Sequence, residues 1–442
     1  MAPLTAWAAS KAALVTIAES VDPVNDKSAA LCGDADRTIC AVRGIAEGDV
    51  LVTLREGAYL NGTTWLAELQ RTAKEDADRL QQEIETTQPS PTVLTVLALL
   101  NEKSKGEASA FHGYLQQLPS RVAVPMTWTA ESRALLKDTA ASPIVDFELV
   151  QSLFQRYLSP LAASFSELWP ASVASLTEFI WAYSVISSRA FAINDRQEPT
   201  LLPVIDMANH DPTDSNAIIQ RTPEGNYTLS ATRAIASDEA VTISYGELSN
   251  AQLLCRYGFV LPTTVPTDSI LITSTAVRTV YAHVSAGGSV ESALQELEKQ
   301  AHATTTTDSP PTKRRKLFEP SPADSDDTLV FALHGNPAEA FGISDTLLSF
   351  VFANNLSAEL LYDVLSVLLQ HKDKQYSELL AELVKSDGSD EARGLVQALV
   401  THERQVSRRV LVGIMTLEED SDDEEEFNGD EEGENEEEDD EE

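Results

Sequence analysis

The segment 201–261 constrains this chain more than any other. It opens on an apolar run at 201–205 and then presents Asp206, Asn209 and His210. Hydrogen-bonding side chains at the end of a run that reads as a buried strand need partners there, from the protein or from a ligand. Residues 240–244 read as a second apolar strand. It ends in Tyr245-Gly246, a phenol at a strand terminus with a flexible joint behind it. Ser249 or Asn250 is placed to cap a short helix whose apolar side is Leu253, Leu254 and Tyr257, and Gly258 and Phe259 follow. Singly, an Asn-His pair is an ordinary turn and Tyr-Gly an ordinary strand end. Their order and spacing carry the information.

Together these residues resemble the closing half of a SET domain, and specifically the Rubisco large-subunit lysine methyltransferase type. That pattern reads D-x-x-N-H, then Y-G-x-x-S-N, then Y-G-F. Asp206, Asn209, His210, Tyr245, Gly246, Ser249, Asn250, Tyr257, Gly258 and Phe259 all match it. The resemblance implies an α+β chain: a SET-domain β-fold with a helical insert, followed by an α-helical C-terminal domain and, here, a disordered acidic tail. It implies an S-adenosyl-L-methionine-dependent protein-lysine N-methyltransferase with Tyr245 as the catalytic phenol. Asn209 and His210 would hold the adenine and amino-acid ends of the cofactor, and Asp206 would shape their turn. Tyr257, Gly258 and Phe259 would form a wall beside the cofactor. Phe191, Ile205, Tyr245 and Tyr257 would line the channel for the lysine stem, a lining that suits an aliphatic chain with a cationic head. The resemblance also implies that the Asn-His segment is threaded under the closing loop, which nothing else in the sequence suggests.

Residues 37–42 and 50–54 read as paired strands or a hairpin around the turn at 44–49. In the resembled family a G-x-G precedes this point. Here Asp36, Arg37 and Thr38 stand there, with Gly33 the only nearby glycine. An apolar helix at 93–101 leads to Glu107, Ala108, Ser109 and Phe111 and then to Tyr114-Leu115-x-x-Leu118-Pro119. A similar passage in the family contacts the cofactor, so Glu107, Ala108, Ser109 and Phe111 are candidate cofactor residues. Helical periodicity at 145–158 and 176–188 is expected to form the insert. It ends in Ser188-Arg189-Ala190-Phe191, similar to the family's S-R-x-F, so Arg189 is a candidate partner for the cofactor carboxylate. A helix-terminal arginine binding the last carbonyls is the other reading.

The expected organisation is a SET domain over 1–262, with its insert at about 90–190, and an α-helical substrate-binding-like domain over 263–415 with a loop at about 303–327. An acidic tail covers 416–442. Helices are expected from about Ser344, Ser357, Tyr376 and Asp390. At the N-terminus, Trp7, Leu14 and Ile17 fit one short amphipathic helix rather than a secretory signal.

The net charge of −38 is shared between body and tail: residues 418–442 hold 19 Asp and Glu and no Lys or Arg, half of it. Such a surface disfavours nucleic-acid phosphate and favours a basic, lysine-containing protein partner. Three cysteines without paired spacing form neither a metal cluster nor a disulfide framework, so no metal is expected, and the compartment is nucleus or cytoplasm. Lys313, Arg314, Arg315 and Lys316 read as a nuclear-import signal. No membrane span is expected, and the protein is taken to be a monomer. Two other functions compete with lysine methylation of a non-histone protein. One is protein-histidine methylation, disfavoured by the apolar Phe191 and Ile205. The other is an inactive SET-fold module that grips a basic partner.

Overall fold

A computed structural model describes residues 3–25, 38–194, 196–304, 329–334, 345–357, 359–385 and 391–427. The chain divides into two compact units. The first comprises Met1–Arg133, Val145–Leu248 and Gln252–Phe259; the second comprises Ala134–Ile144, Ser249–Ala251 and Val260–Glu442.

At the centre of the first unit Val50–Leu54 pairs antiparallel with Val15–Ile17 on one side and Tyr227–Ala231 on the other. Tyr227–Ala231 pairs in turn with Ala217–Arg221. Tyr227, Leu229 and Ala231 are buried while Thr228 and Ser230 are half-exposed, the alternation of a sheet with one covered face. The expected pairing of 37–42 with 50–54 does not occur. Thr38–Ala41 pairs with Val21–Asn25, and its other edge bonds the backbone of Glu239 and Val241. All four of its residues are buried, so it needs partners and cover on every side, which a two-strand hairpin does not supply.

Two helices of the same unit pack on each other. Pro91–Ser104 starts with a Ser90 side-chain cap and Pro91 in its first turn, and it is buried on nearly every face from Val93 to Glu102. Leu176–Arg189 starts with a Ser175 cap and buries Phe179, Ala182, Val185 and Ile186. The 145–158 region is Phe147–Leu153 followed by one wide turn over Phe154–Leu158. The N-terminal helix stops at Ser10, and Ile17 is already in the first strand, so the periodicity of Trp7, Leu14 and Ile17 does not mark a single helix.

The second unit pairs Ser269–Thr273 with Val330–His334 and surrounds this ribbon with helices. They are Ser274–Ser285, Val290–Thr304, Asp345–Ala353, Glu359–Lys385 and Glu391–Phe427. No helix begins at Tyr376. With no Gly or Pro between 359 and 385, the chain continues as one helix and Tyr376 is buried within it. The last helix carries past 415, where the sequence reading begins the tail, as far as Phe427. Residues 428–442, the basic cluster at 313–316, and Gly33, Asp36 and Arg37 lie outside the described residues.

Candidate active site

The apolar run 201–205 is only briefly a strand. Thr200–Leu201 pairs with Ala190–Phe191, and the chain then turns through Val204, at φ +76°, into a single tight helical turn over Ile205–Met207. A positive φ is strained for a β-branched residue and persists only where its surroundings over-determine it. Leu201, Leu202, Val204 and Ile205 are all fully buried, and that supplies the determination. The turn sends Asn209–His210 alongside Thr242–Ile243 as a parallel pair, extended by the Asp211 amide on the Ile243 carbonyl at 3.0 Å.

That pairing brings Tyr245 onto His210. The backbone N–H of Tyr245 donates to His210 Nδ1 at 3.1 Å, and the two rings stack with centroids 4.9 Å apart and 17° between their planes. The Tyr245 hydroxyl donates to the Ala208 carbonyl at 3.0 Å. Tyr257 stacks on Tyr245 at 4.5 Å, and Phe259 stands 6.3 Å from Tyr257 and 6.4 Å from His210. Four aromatic rings thus form one half-buried wall. Burial holds the His210 imidazole below its ordinary value, against the opposing pull of the Ile243 carbonyl and the Asp211 carboxylate. Burial likewise raises the Tyr257 phenol, so both groups are neutral in the physiological range. The half-buried Asn209 carboxamide makes no hydrogen bond among the described residues.

Gly258 joins the helix Asn250–Tyr257 to Phe259 at φ +83°. A Cβ there would meet the Ala123 carbonyl oxygen at 2.2 Å, so only glycine fits. Gly246 is also left-handed, at φ +105°, but opens onto free space. Ser249 immediately precedes the first helical residue, Asn250, whose side chain bonds Asp268 at 2.7 Å and the Leu261 amide at 2.7 Å.

Asp206, three residues before Asn209, is buried. Tyr114 donates to its Oδ2 at 2.8 Å, and Arg189 lies 3.6 Å from the same oxygen. Arg189 also donates to the Asp206 carbonyl at 3.2 Å, so its guanidinium ties the end of its own helix to the Asp206 turn. Phe191 is half-buried in the strand that follows. In the 102–111 passage the side chains are turned to structure. Ser109 donates to the buried Glu102 at 2.6 Å and accepts from the Phe111 amide at 3.0 Å, while Phe111 packs against Trp7 at 6.3 Å. Glu107 and Ala108 are exposed in the short turn Gly106–Ala108. Tyr114 was not singled out by sequence reasoning. Its place in the Tyr-Leu-x-x-Leu-Pro passage was visible, but its partner Asp206 was not.

No protein-family model matches the chain. Its architecture is found in solved structures. It superposes on the SET domain of LSMT bound to lysine and AdoHcy with a TM-score of 0.61, at 16% identity, covering 97% of this chain and 95% of that one. It superposes on Rubisco LSMT bound to sinefungin and monomethyllysine with a TM-score of 0.62, at 17% identity. This is the SET-domain fold of the Rubisco LSMT type. Curated relatives with a SET-type name or activity share parts of the sequence. A ribosomal lysine N-methyltransferase of Schizosaccharomyces pombe is 30% identical over 208 residues, 45% of this chain and 36% of the relative. An N-lysine methyltransferase of Salmo salar is 30% identical over 243 residues, 52% of this chain and 51% of the relative. The fructose-bisphosphate aldolase lysine N-methyltransferase of Arabidopsis thaliana is 29% identical over 181 residues. The chain thus spans about a third to a half of the length of these relatives. Within the SET fold, Asn209, His210, Tyr245, Tyr257 and Phe259 come together at one place. Ser109 and Phe111 serve the packing of a neighbouring turn.

Proposed function

We propose that this chain is an S-adenosyl-L-methionine-dependent protein-lysine N-methyltransferase that acts on a non-histone protein. The observation that carries the reading is the Tyr245 phenol, hydrogen-bonded to the Ala208 carbonyl next to Asn209 and stacked between His210 and Tyr257. The cofactor, when bound, supplies an electrophilic methyl group. The residues suited to hold it are Asn209, whose carboxamide has no protein partner among the described residues, His210, and the backbone around Gly258. Arg189 reaches the same segment through the Asp206 carbonyl, and its planar guanidinium fits a carboxylate.

Methyl transfer to an amine needs a neutral, aligned nucleophile and little covalent help. Desolvation at a half-buried site favours loss of the ammonium proton, and the aromatic wall accommodates the aliphatic stem. Tyr245 then orients the amine, with its hydroxyl already held in one direction by Ala208. Lysine is preferred to histidine because Phe191 and Ile205, on either side of the strand that leads to the Asp206 turn, are apolar and suit an aliphatic stem. Curated relatives named for lysine methylation of ribosomal protein and of aldolase support a protein substrate. The net charge of −38 favours a basic one. In this reading the α-helical second unit receives the substrate protein, and Lys313–Lys316 directs part of the population to the nucleus.

Calorimetric titration of S-adenosyl-L-methionine into the purified chain and its Asn209→Ala variant tests this. Binding by the wild type, weakened at least about tenfold in the variant, is expected from the loss of a buried polar contact. A folded wild type that binds nothing would leave the chain as a binding module instead.

A further inference from the structure

The hydrogen bond between Tyr245 and His210 has a direction that makes it conditional. A backbone N–H only donates, so at 3.1 Å His210 Nδ1 must be the acceptor, and the ring proton of the neutral imidazole must sit on Nε2. The same ring covers one face of the Tyr245 phenol at 4.9 Å, while Tyr257 covers the other at 4.5 Å. The residue is therefore fastened twice by His210, at its main chain and at its ring. We propose that His210 is the positioning residue for Tyr245, and that neutral imidazole is the form in which the tyrosine is held ready. This rests on the reading of Tyr245 as the catalytic phenol, and it assigns His210 a task separate from contact with the cofactor.

The consequence is a built-in acid limit. A proton on Nδ1 would point at the Tyr245 N–H, placing donor against donor. The groups facing the ring are Asp211 and the Ile243 carbonyl, which favour a ring proton, and the uncharged rings of Tyr245 and Phe259, which do not. Burial outweighs the first two and keeps the imidazole neutral at physiological pH. Tyr245 is therefore fastened at neutral pH and released as the pH falls below the ordinary imidazole value of 6.5.

Asparagine separates positioning from mere bulk. Its Oδ1 is the same number of bonds from the backbone as histidine Nδ1, it accepts a hydrogen bond, and it does not titrate. The test uses the full chain labelled with ¹⁵N-tyrosine, with the Tyr245 amide resonance assigned by its loss in Tyr245→Phe. In the wild type this amide is expected to shift with pH along a curve whose midpoint lies below 6.5 and coincides with that of the His210 ring protons. In His210→Asn it is expected to stay flat. An amide that does not move in the wild type, or moves identically in His210→Asn, would overturn the proposal. Transfer from labelled S-adenosyl-L-methionine to acid-extracted basic proteins is the second readout. At pH 8, kcat for His210→Ala should fall about tenfold, the effect of one hydrogen bond. His210→Asn should fall less, and its rate relative to wild type should rise as the pH is lowered. A ratio independent of pH would count against the proposal. Because the amide titration needs neither cofactor nor substrate, it tests the positioning role even if the chain transfers no methyl group. That second failure would be charged to the enzymatic reading alone.

Discussion

The hydroxyl of Tyr114 donates to the buried carboxyl of Asp206 at 2.8 Å, across 92 residues of sequence. Burial raises Asp206 to about 6 from its ordinary 3.8, while Arg189 and the Tyr114 bond pull it down, and Oδ1 has no partner. The folded acid therefore binds its proton more tightly than the unfolded one. The stability it contributes is present at low pH and is lost as the pH rises through about 6. Tyr114→Phe removes the donor and leaves a buried oxygen unsatisfied, which costs about 1–3 kcal/mol. The loss should be larger at pH 8, where Asp206 is ionised, than at pH 5. Urea unfolding followed by tryptophan fluorescence measures it, since all five tryptophans lie in the first unit. Equal losses at both pH values would remove Asp206 from the explanation.

Tyr245→Phe preserves the ring between His210 and Tyr257 and deletes the hydroxyl that reaches Ala208. A positioned catalytic side chain contributes roughly a hundredfold or more. Methyl transfer should fall by at least about that factor, with cofactor affinity by calorimetry changed less than about threefold. A variant that transfers at the wild-type rate would place the catalytic task elsewhere.

Gly258 and Gly246 both have positive φ, but only Gly258 faces a backbone oxygen 2.2 Å from where a Cβ would stand. Gly246→Ala should cost about 1 kcal/mol of backbone strain. Gly258→Ala adds a clash with the Ala123 carbonyl and should cost more, displacing Tyr257 and Phe259 with it. Thermal unfolding of the two variants orders them.

Glu403 is buried in the second unit, where it accepts from Tyr376 at 2.8 Å and from the Ala140 amide at 2.8 Å. Burial raises it to about 7 from 4.5, so the stability it contributes is present below pH 4.5 and is lost as the pH rises through about 7. Glu403→Gln keeps a carbonyl for the amide and does not titrate. The thermal midpoint of this variant relative to wild type should rise between pH 5.5 and 8.5. Circular dichroism at matched pH reads the difference, and a constant gap would refute the assignment.

Deleting residues 418–442 removes half of the net negative charge. Attraction between such a tail and a basic substrate is screened within about 8 Å at physiological ionic strength. The deletion should therefore flatten the salt dependence of KM for basic protein substrates. Identical salt curves for the two forms would exclude a role in capture.

Asp206, Asn209, His210, Tyr245, Tyr257, Gly258 and Phe259 were singled out by the resemblance of their linear motifs, each of which alone is an ordinary turn or strand end. The helices Pro91–Ser104 and Leu176–Arg189 were legible because periodicity and serine caps are local signals. Strand pairing was not. Thr38–Ala41 is buried throughout, and nothing in these four residues says whether the neighbour is Val50–Leu54 or Val21–Asn25. The partners of Ser109, Arg189 and Tyr114 were equally hidden. Each bonds a residue that arrives only when the chain turns at a strained Val204 or folds a buried Glu102 against it. Residue type thus determined which groups were present, and tertiary structure decided which acceptor each donor found, because a buried donor takes the partner that packing delivers.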